Sequence, residues 1–169
     1  MKREFWLERW QDNQIGFHQD EVNAHLEQFW GQMGLKHDDE IFVPLCGKSR
    51  DMLWLRGQGH PVLGIEISPV AVEAFFTENS IEPAASMRGP FVSFATDGLE
   101  LLCGDFFDLD PQRLHEVAGV YDRASLVALP PQMRESYAQK MKEVLPARAR
   151  VLLVTMDYPQ EEMDGPPFS

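Results

Sequence analysis

The sequence predicts an α/β fold built on a mostly parallel β-sheet. From residue 41 onward, short apolar segments with the length of buried strands alternate with segments of helical periodicity. Strands that alternate with helices favour parallel pairing through right-handed crossovers. A second observation is the run Ile41–Leu45, which leads through Cys46 and Gly47 into a helical pattern. Such a junction lies at the carboxyl edge of the sheet, where open α/β folds bind their ligands.

Residues 1–38 form a leading segment that precedes the predicted sheet. A helix is expected over 3–11, where aromatic residues such as Trp10 recur at helical spacing, and a second helix over 20–33. The aromatic side chains of this segment, Phe17 included, either belong to the core or line a ligand pocket that the two helices cover as a lid. The sequence leaves both interpretations open.

The remaining residues, 39–169, contain the alternating elements of the sheet. Strands are expected at 41–45, 61–66, 91–95, 99–103, 117–121 and 150–156. Helices are expected at 49–58, from Ser68–Pro69 through Phe76, and from Pro130–Pro131 to about residue 144. Ser68 is a suitable N-cap, and Pro69 suits the first turn of the helix that follows it.

Two connections between these elements have distinctive compositions. Residues 80–90 contain two prolines and a glycine and are expected to form a loop. The dipeptide Asp97–Gly98 separates two short apolar segments and favours a hairpin with a tight type I′ turn.

The chain is expected to form a single domain over residues 1–169, because no linker or composition shift divides it. Its last residues, Gly165–Ser169, have the composition of a loop and follow soon after the last predicted strand. We therefore expect that the final strands of the fold are missing from this chain.

Composition narrows the class of ligand. The formal net charge is −12 and no cluster of Lys and Arg is present, so neither nucleic acid nor an anionic membrane is an expected partner. Two cysteines make no disulfide framework, and neither has the spacing of a metal site. No signal peptide and no apolar run of about 18 residues is found. These observations predict a cytoplasmic protein that binds a small molecule and no metal. The protein is expected to be a monomer, because nothing in the sequence indicates an assembly.

The turn after the first strand resembles a phosphate-binding loop only in part. Gly47-Lys48-Ser49 matches the end of that motif, but the motif also requires a glycine five places before Gly47, where this chain has Phe42. The dinucleotide fingerprint with three glycines is absent for the same reason. A turn with one glycine is therefore expected to approach a ligand that carries no pyrophosphate.

Two acidic residues follow the next strands and indicate which ligand this is. Glu66 ends the second strand, 21 residues after Leu45, at the place where a carboxylate accepts hydrogen bonds from both hydroxyls of a ribose. Asp105 follows the strand at 99–103 and could accept from an adenine amino group. Together they predict an adenosine ligand without phosphates, for which S-adenosylmethionine is the obvious candidate.

Several motifs resemble the bacterial thiopurine S-methyltransferase family, in the same order and over the whole chain. They are Pro44-Leu45-Cys46-Gly47-Lys48-Ser49, Gly64-Ile65-Glu66, Gly104-Asp105-Phe106-Phe107, the block from Tyr121 through Pro131, and Gly165–Ser169. The resemblance implies a Rossmann-like class I methyltransferase fold, with helices on both faces of the sheet. It also implies methyl transfer from S-adenosylmethionine to a thiol on an aromatic or heterocyclic ring. Bacterial members are associated with methylation of selenium and tellurium compounds, which suggests detoxification and tellurite resistance.

The resemblance assigns expected roles to particular residues. Cofactor contacts map onto Trp10, Leu45, Glu66 and Arg123, with Asp105 and Phe106 near the adenine. Phe17 and Arg123 are expected to contact the substrate, and no catalytic residue is assigned.

Alternatives remain open at this stage. Arg123 could instead pair with Asp122 or Asp105 and only stabilise its loop. The same pocket could belong to a non-catalytic sensor of adenosine ligands, whereas a nicotinamide-dependent oxidoreductase is disfavoured by the missing glycines.

Overall fold

The computed structural model describes residues 3–169, which fold around one seven-stranded sheet. The strands are β1 (Glu40–Val43), β2 (Val62–Glu66), β3 (Ala84–Arg88), β4 (Phe91–Thr96), β5 (Leu99–Cys103), β6 (Val117–Arg123) and β7 (Arg150–Val154). Their order in the sheet is β3-β4-β5-β2-β1-β6-β7. The five strands from β5 to β7 pair in parallel, and β4 pairs antiparallel with both β3 and β5. The prediction of a mostly parallel α/β sheet is confirmed.

Helices cover both faces of this sheet. They are α1 (Arg3–Gln11), α2 (Ala24–Phe29), α3 (Asp51–Gly57), α4 (Pro69–Glu78) and α5 (Pro131–Val144). One apolar cluster joins residues of α2, α3 and α4 to one face, and a second joins α5 to the other. The five residues of β2 are all buried, because this strand is covered on both faces and flanked by β1 and β5. The N-cap at Ser68 is confirmed, since its side chain accepts a hydrogen bond from Ala71 N at 3.4 Å.

The structure corrects three local predictions. The expected loop at 80–90 contains β3, whose five residues are all exposed at the sheet edge. The expected helix at 20–33 is shorter, because the Asn23 side chain caps α2 and a 3-10 helix, Trp30–Met33, replaces its last turn. The hairpin between β4 and β5 is present, but only Gly98 of its two central residues has a positive φ, so the turn is not type I′.

Parallel pairing brings the carboxyl ends of β1, β2, β5 and β6 to one edge of the sheet. Helix α1 lies near α4 at the same side of the molecule. Strand β7 is the other outer strand of the sheet, with Val151 and Leu153 exposed. The expectation that further strands follow residue 169 stays a prediction. Among residues 3–169, no helix is long and apolar enough to cross a membrane.

Candidate active site

A pocket lies between the carboxyl edge of the sheet and the leading segment. Its empty volume, which includes the space at its open mouth, is about 1200 Å³. One side, here called the strand-end wall, consists of Leu45–Ser49, Glu66, Asp105–Phe107 and Arg123–Ala124. The other side, the aromatic wall, consists of Trp6, Trp10 and Phe17. The pocket thus contains every residue for which the sequence predicted a cofactor or substrate contact.

The turn after β1 brings main-chain atoms close to the pocket. Leu45 has φ +45° and Gly47 has φ +53°, the left-handed region that costs a residue with a side chain about 1–2 kcal/mol. A Cβ at position 47 would lie 2.9 Å from Cζ2 of Trp10, so glycine is required for the two walls to meet. Ala124, after β6, also has a positive φ of 60°. Strained non-glycine residues of this kind cluster at ligand sites.

Glu66 is the last residue of β2 and is 5% exposed. Its Oε2 accepts a hydrogen bond from Gly47 N at 2.8 Å, and its Oε1 accepts one from Ser68 N at 2.9 Å. Burial raises the pKa of this carboxyl above its ordinary value, and the main-chain donors offset part of that shift. Because a carboxylate has about four acceptor positions, each oxygen can still accept a second hydrogen bond from a ligand. The two free acceptor positions of Glu66 match the two hydroxyl groups of a ribose.

Asp105 lies beside this carboxylate on the strand-end wall and starts a short 3-10 helix. Its Oδ1 accepts from Phe107 N at 2.9 Å, and its Oδ2 makes no hydrogen bond within the described part of the chain. Phe106 is buried and its ring centroid lies 4.8 Å from that of Tyr137. Asp105 therefore caps this short helix with one oxygen, and the other oxygen is left for a ligand donor.

The strand-end wall contains two cations, Lys48, which pairs with Glu78, and Arg123, whose side chain is 11% exposed. Nε of Arg123 donates to Oδ2 of Asp51 at 3.1 Å, so its ionic partner is Asp51. The alternative pairing with Asp122 or Asp105 is wrong. Asp122 points to the opposite face of β6, where it accepts from the Tyr137 hydroxyl.

The aromatic wall is held by ring contacts. The Phe17 ring lies 5.5 Å from the Trp10 ring and 5.9 Å from the Trp6 ring, both in edge-to-face arrangements. Trp10 is buried, whereas Trp6 and Phe17 are half-buried. The residues of 1–38 that the structure describes thus contribute both to the core and to the pocket, which joins the two interpretations that the sequence left open.

Sequence reasoning missed part of the pocket. Tyr121, Met133 and Tyr137 also line it, and no ligand contact was predicted for them. Met133 and Tyr137 belong to α5, which carried no ligand motif, whereas Tyr121 lies on β6 two positions before Arg123. Burial and the nearby Asp51 raise the pKa of Tyr121, so its hydroxyl stays a neutral donor. Asp51 itself was read only as part of a helix, although a buried acid at the start of a helix is a detectable signal once the fold is known.

Solved structures with the same fold come from methyltransferases. The structure of 1,6-didemethyltoxoflavin-N1-methyltransferase from Burkholderia thailandensis, with bound 1,6-didemethyltoxoflavin and S-adenosylhomocysteine, aligns with a TM-score of 0.64 over 93% of this chain and 63% of the other, at 14% identity. The chain has the Rossmann-like fold of class I S-adenosylmethionine-dependent methyltransferases. The chain belongs to the thiopurine S-methyltransferase family, whose sequence profile matches residues 1–169.

Curated relatives agree with this assignment. The thiopurine S-methyltransferase of Nitrosospira multiformis is 54% identical over all 169 residues, and that of Pseudomonas fluorescens is 50% identical over the same length. The chain spans 77% of the length of each relative. The protein is therefore an S-adenosylmethionine-dependent enzyme, and the interpretation as a nicotinamide-dependent oxidoreductase is excluded.

Proposed function

We propose that this enzyme methylates the sulfur of thiopurines and of related aromatic or heterocyclic thiols. The observation that carries the proposal is the pairing of the aromatic wall with Arg123 across one pocket. A flat heteroaromatic ring finds edge-to-face partners in Trp6 and Phe17. The negative charge of its thiolate finds the Arg123 guanidinium. The names of the relatives support the same class of substrate.

The cofactor has a distinct place in this proposal. The two free acceptor positions of Glu66 bind the ribose hydroxyls, and Oδ2 of Asp105 accepts from the adenine amino group. The turn at Leu45 and Gly47 lies against the sulfonium end of the cofactor, and Trp10 covers that end. Phe106 lies against the adenine, and Arg123 also binds the carboxylate of the cofactor. S-adenosylmethionine supplies the electrophilic methyl group on its sulfonium.

Methyl transfer at this site is an in-line displacement. The thiol first loses its proton to water, and the thiolate lone pair then forms a bond to the methyl carbon. The bond from that carbon to the sulfonium breaks, and its electron pair stays on the leaving sulfur, which gives a thioether and S-adenosylhomocysteine. Positive and negative charge disappear together, so alignment and water exclusion by the two walls contribute most of the rate enhancement.

A dedicated general base is not part of the proposal. Thiols on electron-poor rings ionise near neutral pH, so Arg123 can select the thiolate from solution. His18 is the only imidazole that lines the pocket within the described residues, and burial together with the nearby Lys48 lowers its pKa. We expect the pH profile of kcat/KM to follow the ionisation of the free thiol, and to keep its midpoint in His18→Gln. A midpoint that moves with this substitution would assign His18 the role of base.

The experiment that tests the function is incubation with methyl-labelled S-adenosylmethionine and a thiopurine. We expect label in a thioether product, and none with the matched purine that carries oxygen in place of the sulfur. Cofactor binding without label transfer to any thiol would contradict the proposed reaction. The proposal includes selenium and tellurium compounds as acceptors. A parallel incubation with hydrogen selenide, the selenium counterpart of a thiolate nucleophile, tests whether the activity extends to selenium, and a volatile labelled methylselenol is the expected product.

A further inference from the structure

Asp51, the first residue of α3, lies behind the strand-end wall and is 1% exposed. Its carboxylate accepts three hydrogen bonds, one from the leading segment and two from β6. They come from Asn23 N at 2.8 Å, from the Tyr121 hydroxyl at 3.0 Å and from Arg123 Nε at 3.1 Å. Asp51 does not line the pocket, so it does not reach a ligand directly.

The Arg123 guanidinium is fixed by one acceptor on each of its nitrogens. Besides Asp51 on Nε, Phe17 O accepts from Nη1 at 3.2 Å, and Ser49 Oγ accepts from Nη2 at 3.3 Å. The same Ser49 oxygen accepts from Asp51 N at 3.2 Å, which locks the two residues to each other. Of the five N–H groups of the guanidinium, two have no acceptor among the described residues. These two are available to an anion in the pocket.

The same cluster attaches the leading segment to the sheet. Main-chain atoms of Phe17, Asp20 and Asn23 bind the side chains of Arg123, Arg50 and Asp51 respectively. Phe17 also belongs to the aromatic wall. Asp51 is therefore the one carboxylate among the described residues that binds both Arg123 of the strand-end wall and a main-chain donor of the leading segment.

We infer that Asp51 is a positioning residue for cofactor binding. Asp51 acts through Arg123, because it fixes the guanidinium on its Nε side so that the remaining donors face the pocket. Asp51 also holds the leading segment at the position where the aromatic wall closes the site. The inference rests on the proposed role of Arg123 in the site. It predicts that the effects of substituting Asp51 and Arg123 are coupled.

The test is a double-mutant cycle on the dissociation constant of S-adenosylhomocysteine, measured by calorimetry. Asp51→Asn keeps the shape of the side chain but removes its charge and one of its two acceptor oxygens. We expect it to weaken binding about tenfold in the unmodified chain and less than twofold in the Arg123→Met background. Asp122→Asn is the matched control, since Asp122 is equally buried but contacts Tyr137 on the opposite face of β6. Its effect on binding should be the same in both backgrounds.

The possible outcomes separate the inference from the proposed function. If Arg123→Met leaves the dissociation constant unchanged, the proposed role of Arg123 fails. If Arg123→Met weakens binding while Asp51→Asn has no effect or an equal effect in both backgrounds, only the positioning role is overturned. Should Asp51→Asn not fold, Ser49→Ala removes the oxygen shared by both residues. It is expected to weaken binding about threefold, again only when Arg123 is present; an equal loss without Arg123 overturns the inference.

Discussion

The two walls of the pocket are held in place by different kinds of interaction. The strand-end wall follows directly from parallel strands, and the Glu66 carboxylate binds the main chain on both sides of it. The aromatic wall is made of side chains in edge-to-face contact, attached to the sheet through main-chain atoms of Phe17 and Asn23. One wall is thus set by the fold itself, whereas the other is docked onto it through a few contacts.

Because of this difference, we expect the two walls to contribute to ligand binding in different ways. A wall fixed by the sheet can hold acceptors at defined positions before the ligand arrives, which favours specific hydrogen bonds to a ribose and an adenine. A docked wall contributes apolar area and excludes water once the ligand is in place. Complete loss of an acceptor from the strand-end wall, as in Glu66→Ala, should therefore cost more cofactor affinity than the shortening of a ring in the aromatic wall.

The largest effect is expected for Glu66→Ala. The change removes the acceptor of the ribose hydroxyls and leaves two buried main-chain N–H groups, on Gly47 and Ser68, without their partner. We expect cofactor affinity to fall by about 1.5–3 kcal/mol, and the free energy of unfolding to fall by about 1–3 kcal/mol. Calorimetry and urea denaturation measure the two losses. The control is Glu100→Ala, on β5 and outside the pocket, which should leave cofactor affinity unchanged. If Glu66→Ala also leaves the dissociation constant unchanged, Glu66 is not part of the site.

The next effect concerns Gly47, where the two walls meet. Gly47→Ala places a methyl group 2.9 Å from the Trp10 ring in a backbone conformation that is strained for alanine. We expect a loss of affinity of roughly five- to thirtyfold, equivalent to about 1–2 kcal/mol, because either the turn or the ring must move.

Gly89→Ala provides the matched control for this substitution. Gly89 has a similar φ of +58°, and an added Cβ there meets nothing within 4 Å. It should lower stability through the same backbone strain and leave cofactor binding unchanged. Equal losses of affinity in the two variants would show that contact between the walls plays no part in binding.

A smaller effect is expected for Trp10→Phe in the aromatic wall. The substitution keeps an aromatic ring but shortens its contact with Phe17 and with the turn at Gly47. The expected loss of cofactor affinity is about 0.5–1.5 kcal/mol, the scale of one aromatic pair. Trp54→Phe, in α3 and away from the pocket, is the control. A loss larger than that of Glu66→Ala would reverse the proposed ranking of the two walls.

An effect no larger than that of Trp10→Phe is expected for Asp105→Asn, because this conservative change in the strand-end wall keeps one acceptor oxygen. The amide can keep the capping bond to Phe107 N, but it presents a donor where the adenine amino group needs an acceptor. We expect S-adenosylhomocysteine to bind about two- to tenfold more weakly, or about 0.5–1.5 kcal/mol. The analogue with inosine in place of adenosine should show no such loss, because the carbonyl oxygen on C6 of its base accepts a hydrogen bond from the amide. Equal losses for both ligands would place Asp105 away from the adenine.

Most of the strand-end wall could be predicted from sequence. Glu66 follows a continuous apolar strand at the spacing expected for a ribose acceptor, and Leu45–Gly47 follows another, so a local pattern was enough to locate both. Strand β3 could not be predicted in the same way. All five of its residues are exposed, so no apolar alternation marks it, and its pairing with β4 determines its conformation.

The interactions that attach the aromatic wall were beyond reach for a different reason. Asp51 meets Asn23 and Arg123 across 28 and 72 positions of the chain, and nothing in its local sequence distinguishes it from an ordinary acid in the first turn of a helix. The shortened helix α2 has the same cause, since the Asn23 cap that begins it is held by Asp51. Tertiary contacts decided both features.

The account depends on both walls enclosing one cofactor. Amide hydrogen exchange with and without S-adenosylhomocysteine tests this most directly, because it reports on each wall separately. We predict slower exchange with ligand for amides in 45–49 of the strand-end wall and in 3–18 of the leading segment. Little change is expected in a separate groove between α5 and β7, lined by Met141, Lys142, Val151 and Leu153. Protection confined to that groove, or none in either wall, would contradict the account.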